Sequence, residues 1–95
     1  MSRRVHELKI QHDYAESVYL GDKNFEIRLN DRRFQKGDIV RFFPLGKDSY
    51  SSIDTRHPLY RKEYEITYVV GSFVGLADNY VAFGIKPIKE SEVKE

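Results

Sequence analysis

Lys23, Glu26 and Arg28 stand close together in the stretch Gly21-Asp22-Lys23-Asn24-Phe25-Glu26-Ile27-Arg28. Two cations and a carboxylate at this spacing have two uses. They can pair with one another on a solvated strand face, which contributes little to stability. They can also line a pocket for a planar polar ligand, because arginine forks onto carbonyl or phosphate oxygens and glutamate accepts from ring or amino N–H groups. Both uses require a shared face. If residues 24–30 form a strand, alternation sends Phe25, Ile27 and Leu29 to one side and Glu26 and Arg28 to the other. Lys23 lies at the mouth of that strand, and the permissive backbone of Gly21 lets it turn toward Glu26 and Arg28.

The elements that must position this cluster follow from periodicity. Val5 to Gln11 sets Leu8 and Ile10 against Glu7, Lys9 and Gln11, the pattern of a strand with one buried face. His6 shares the parity of Leu8 and is read as a hydrogen-bonded structural residue. Asp13-x-x-Glu16 resembles a capping box, which predicts a helix from Asp13 to Leu20 that stops at Gly21. So short a helix must be held by packing, assigned here to Tyr14, Val18 and Leu20. It forms a wall beside the Lys23–Arg28 strand, with a cleft between the two.

Residues 29–38 read as a turn-rich connection closed by Gly37 and Asp38, with Phe34 anchored in the core. Arg32, Arg33 and Lys36, followed by Arg41 in the next strand, make the densest positive run of the chain. They are either solvated and offset by Asp31 and Asp38, or phosphate contacts beside a base pocket. Asp38 to Phe43 is predicted as a strand ended by Pro44. Residues 44–59 then form a long polar connection, in which Tyr50, Arg56 and His57 either belong to a mobile insertion or cover a bound base. Ser49, Ser51 and Ser52 lack a nucleophile elbow. Tyr64, Ile66, Tyr68 and Val70 are placed on one face of a strand that Gly71 ends. The last strand spans Tyr80 to Ile85 with Val81, Phe83 and Ile85 on one face, and Gly84 marks a bulge or a close approach. Residues from about 90 to 95 are expected to fray. The fold class is mixed α+β, mainly β: a small barrel of about five strands with a short helix after the first.

Gly21, Lys23, Glu26 and Arg28 fit G-x-K-x-x-E-x-R, which resembles the signature of the ASCH domain in the PUA-like superfamily. The opening His6-Glu7-Leu8-Lys9-Ile10 and the later Phe34-Gln35-Lys36-Gly37-Asp38-Ile39-Val40 are similar to its small DUF3850-type branch, and the resemblance spans most of the chain. It implies a PUA-like β-barrel whose motif lines a cleft for RNA or a nucleotide-like ligand. Lys23, Glu26 and Arg28 would bind that ligand, and Arg32, Arg33, Lys36 and Arg41 would contact phosphates. Some ASCH relatives are amidohydrolases acting on acylated cytidine, with a lysine, a threonine and a glutamate in their chemistry. Lys23 matches the lysine, but the threonine position holds Glu26, which offers no hydroxyl nucleophile. An enzyme would have to draw on Lys23 and Glu26 differently. A protein-interaction module, in which these charges pair for structure, is the third reading.

Composition bounds these readings. Ninety-five residues make one domain, 1–95, with a single core. Sixteen Lys and Arg against fifteen Asp and Glu give no whole-molecule pull toward nucleic acid. Residues 1–47 carry ten basic and seven acidic side chains against six and eight in 48–95, so a basic surface must come from the first half. No cysteine is present, which excludes disulfides and thiolate zinc sites and fits a reducing cytoplasm. His6, His12 and His57 have no metal-binding spacing, so neither a metal nor another cofactor is expected. No apolar run reaches membrane-spanning length, so the expectation is a cytoplasmic protein without a membrane partner, with RNA or a nucleotide-like ligand as its main partner and a protein partner possible.

Overall fold

A computed structural model describes residues 3–89. It contains, in chain order, β1 (Val5–Ile10), α1 (His12–Tyr19), β2 (Phe25–Leu29), β3 (Ile39–Gly46), β4 (Ser49–Ile53), β5 (Glu63–Gly71) and β6 (Tyr80–Pro87). The protein is mainly β with one short helix after the first strand, in line with the sequence. The predicted fraying from about residue 90 lies outside the described residues.

Alternation in β1 buries His6, Leu8 and Ile10 and exposes Glu7 and Lys9. This strand runs parallel to β3, from Val5 opposite Ile39 to Ile10 opposite Pro44. The remaining pairings are antiparallel and give the order β1-β3-β5-β6-β2, with β4 folded back on the end of β3. The two segments first in sequence, β1 and β2, therefore sit at opposite ends of one sheet. The sheet is not closed into a barrel by a backbone ladder. Across the open seam, Arg28 Nη2 donates to the Lys9 carbonyl at 2.8 Å.

The core lies against one face of this sheet, built on Val40, Phe42, Leu59, Ile66 and Phe83. Phe34 anchors the 29–38 connection there as expected, its ring 4.7 Å from His6 and 4.8 Å from Phe83. His6 is the structural residue its parity implied. Its Nε2 lies 2.9 Å from Asp38 Oδ2, which also accepts from the Gln35 N–H at 3.1 Å and Arg4 Nη2 at 3.4 Å. Burial pushes the Asp38 carboxyl up. The hydrogen bonds from His6 and Gln35, with the charges of His6 and Arg4, outweigh burial and hold it below its ordinary value.

Several local expectations need correction. The helix begins one residue early with Gln11 as N-cap and no side-chain cap, so Asp13 serves its first turn instead of closing a box. Its buried stripe is Ala15 and Val18, three apart, which leaves Tyr14 and Leu20 exposed. Strand β3 continues through Pro44. The residue lies opposite Ile10 of β1 and beyond the Ile39–Arg41 stretch that pairs with β5, and its carbonyl accepts from Asp54 N at 2.8 Å, so the strand keeps a backbone hydrogen bond at Pro44 although proline has no N–H to give. The 44–59 region is not a loose insertion: it forms the β3–β4 hairpin and then turns that bury His57 and Leu59. In β5 an irregularity between Ile66 and Tyr68 inserts an extra residue, so Val69 packs on the core and Tyr68 points outward. Gly84 sits opposite this bulge. A Cβ there would stand 2.6 Å from Thr67 Oγ1, so the close approach expected at this glycine is real.

Candidate functional site

Alternation separates the side chains of β2 as predicted, and the structure decides which side faces in: Glu26 is 4% exposed, whereas Phe25, Ile27 and Leu29 are 45%, 52% and 46% exposed. The charged face looks inward across the seam toward β1, and the apolar face looks out. A carboxylate can be buried there because it arrives with partners.

Those partners come from two local devices. Gly21 adopts φ +86°, which lets the chain reverse after α1 while the amides of Asp22 and Lys23 donate to the Ser17 carbonyl at 2.9 and 3.0 Å. Nothing stands within 4 Å of a Cβ at Gly21, so backbone conformation and not space selects glycine. The reversal drops Lys23 at the entrance of β2. Its Nζ donates to Glu26 Oε2 at 2.9 Å and to the Phe25 carbonyl at 2.8 Å. The rings of Tyr14 and Phe25 lie 5.4 and 5.0 Å from the same ammonium. The second device is strand parity, which sets Arg28 beside Glu26 so that Arg28 Nε donates to Oε1 at 3.1 Å.

The three residues therefore form one cluster, as the sequence indicated, with each Glu26 oxygen held by a different cation. They line a cleft of about 590 Å³ at the β1–β2 seam, together with Lys9, Gln11, Tyr14, Phe25 and Leu45. Its formal charge at the cluster is positive. In the described contacts Lys23 uses two of its three N–H donors and Arg28 two of five, so donors remain for carbonyl or phosphate oxygens. No Ser or Thr lines this cleft. Among the described residues no group of three or more His, Asp or Glu is placed to hold a metal, and no helix is long and apolar enough to cross a membrane.

The basic run is only partly gathered here. Arg32 shares a small hollow of about 140 Å³ with Arg28 and Asp31, and its Nε lies 3.8 Å from Asp31 Oδ1. Arg33 and Lys36 are exposed in the same connection, and the Arg33 carbonyl accepts from Arg4. Arg41 is elsewhere. It bridges neighbouring strands by donating to Glu63 Oε2 at 2.6 Å and Glu7 Oε2 at 2.9 Å, hydrogen bonds that raise its pKa.

His57 does not cover the cleft. Its buried Nδ1 accepts from Leu59 N at 3.0 Å and its ring meets His12 edge-on at 5.5 Å. Arg56 is exposed, and the side chain of Tyr50 lies outside what the structure describes. Sequence reasoning missed Tyr14, Lys9, Gln11 and Leu45 as lining residues. Tyr14 had a usable signal, since its neighbour Ala15 is the smaller and better core residue at helical spacing from Val18.

Fold and site together define a small, mainly β domain with an inward-facing Lys–Glu–Arg cluster in an open seam. The family model described as "Domain of unknown function (DUF3850)" matches residues 5–85, and the chain belongs to that family. No curated protein matches it.

Proposed function

We propose that the chain is a PUA-like module of the ASCH type that binds RNA or a nucleotide-like ligand in the β1–β2 cleft. The observation that carries this reading is the buried Glu26 clasped by Lys23 and Arg28, beside the Tyr14 and Phe25 rings. A base edge offers both donors and acceptors, and this cluster offers a carboxylate and unspent N–H groups to meet them. The rings supply apolar surface on which a base stacks. Arg32, adjoining through the smaller hollow, is the nearest member of the basic run to receive a phosphate, with Arg33 and Lys36 farther along the connection.

A second reading has its own support. Arg28 also spans the seam to Lys9, so the cluster holds β2 to β1 whatever it binds. A thermal-shift series against nucleosides, nucleotides and short RNAs, with Lys23→Ala in parallel, separates the two. Binding at the cleft raises the melting temperature of the wild type and not of the variant. No shift with any of these ligands, together with early melting of Lys23→Ala, leaves a purely structural cluster.

A further inference from the structure

A second groove adjoins the β1–β2 cleft. It lies between the turn after α1, the start of β5 and the end of β6, has a volume of about 630 Å³, and shares Lys23 with the cleft as a lining residue. On the cleft's other side, Arg28 is shared in the same way with the hollow that holds Arg32. Three hollows therefore follow one another along β2, with a cation at each junction. Lys62, Lys86, Asn24, Tyr19 and Tyr64 also line the second groove, and no Asp or Glu does. Lys62 forms no ion pair among the described residues. Lys86 reaches Glu65 only at 4.0 Å and keeps 60% of its side chain in water. Tyr64 is 5% exposed and its ring packs edge-on to Phe42, yet its hydroxyl has no hydrogen-bond partner among the described residues. Burial, and after it the neighbouring Tyr19, pushes the pKa of this hydroxyl up, so it stays protonated and can donate. A buried hydroxyl left without a partner is costly unless water or a ligand meets it in the groove.

We propose that this groove is a phosphate subsite, and that the ligand of the β1–β2 cleft is a single strand of RNA whose next phosphodiester is held by Lys62, Lys86 and the Tyr64 hydroxyl. This role rests on the cleft binding a nucleotide. Composition selects an anion, because the groove offers ammonium, hydroxyl and amide donors and no carboxylate to repel one. Position selects a strand. A single nucleotide occupies one hollow, whereas a strand lying in the cleft continues past Arg28 toward Arg32 on one side and past Lys23 into the groove on the other. Each step then brings a phosphate to a cation, the arrangement by which basic grooves track a single-stranded backbone. The carbonyls of Glu16, Ser17 and Val18 at the end of α1 do not oppose this, since the amides of Leu20, Gly21, Asp22 and Lys23 already occupy them.

Isothermal titration calorimetry with an RNA tetranucleotide, the corresponding nucleosides and their monophosphates tests this in the wild type, in the double variant Lys62→Ala/Lys86→Ala and in Tyr64→Phe. None of these residues lines the cleft. The wild type is expected to bind the tetranucleotide at least ten-fold more tightly than any monophosphate. The double variant should lose that advantage and lower the slope of log affinity against log salt by about 1.4, or 0.7 for each lysine. Tyr64→Phe, which keeps the ring, should weaken the tetranucleotide about ten-fold. Nucleosides carry no phosphate, so their affinity should be unchanged in both variants and lost in Lys23→Ala. Nucleoside binding with no gain for the tetranucleotide, or a gain that both variants keep, overturns the groove and leaves the cleft reading standing. A monophosphate that binds as tightly as the tetranucleotide overturns the strand. Absence of binding by nucleosides and tetranucleotide alike overturns the groove together with the cleft.

Discussion

Replacing Glu26 by Gln keeps the shape of the side chain and removes its charge. In the wild type both oxygens accept, one from Lys23 and one from Arg28. Gln offers one acceptor oxygen, and its amide N–H groups must face the other cation. Breaking a fully buried ion pair from one side costs about 3–5 kcal/mol. Here Lys23 and Arg28 keep 17% and 25% of their side-chain surface in water, so part of the lost interaction is recovered by hydration. About 2–3 kcal/mol remains, well above the ~1 kcal/mol ceiling of an exposed pair. For a domain of this size that is a fall of roughly 10–20 °C in Tm. Urea unfolding reads it as a lower midpoint at unchanged slope. A loss below about 0.5 kcal/mol would refute the reasoning, because it would mean that the carboxylate is solvated and that β2 does not turn its charged face inward.

Other perturbations follow from the same geometry. Asp38 has a folded pKa below its ordinary 3.8, so its stabilisation is complete above that value and lost as pH falls through the folded pKa. Urea midpoints should therefore drop on acidification below about pH 4, and the part contributed here should vanish in Asp38→Asn, itself about 1–3 kcal/mol less stable at neutral pH. Gly84→Ala should cost about 1–3 kcal/mol by forcing Thr67 Oγ1 aside, and Thr67→Ala in the same chain should return most of it in the same assay. If RNA binds the cleft, Arg32→Ala should weaken it and lower the slope of log affinity against log salt by about 1, measured by fluorescence anisotropy. Arg41→Met should leave that slope unchanged, because Arg41 is engaged by Glu7 and Glu63.

The parts of the fold legible in the sequence are those where alternation and burial agree. In β1 and β6 the alternation matches burial at Leu8, Ile10, Val81, Phe83 and Ile85, His6 falls where parity puts it, and Phe34 anchors the following connection in the core. The Lys23–Glu26–Arg28 cluster was legible as well, because Gly21 and strand parity are local facts. What alternation cannot give is which side of a strand faces in. In β2 the apolar residues face out, a choice set by the position of β2 at the end of the sheet and by the reach of Arg28 across the open seam to the Lys9 carbonyl. The bulge in β5 is likewise invisible to a period-two reading, which keeps Tyr68 on the same face as Ile66. Pro44 misled in the other direction. A proline stops a strand only where its missing N–H is needed, and that depends on which neighbour lies alongside.

The most direct test of the account is a two-dimensional ¹H–¹⁵N titration of the labelled protein with a short oligoribonucleotide and, separately, with nucleoside monophosphates. The account predicts saturable shifts of the amides of Lys9, Tyr14, Lys23 and Arg28, with Arg32 following for phosphate-bearing ligands, and their loss in Lys23→Ala. Shifts confined to the exposed Arg33–Lys36 connection, or absent from the β1–β2 seam with every ligand, would contradict it.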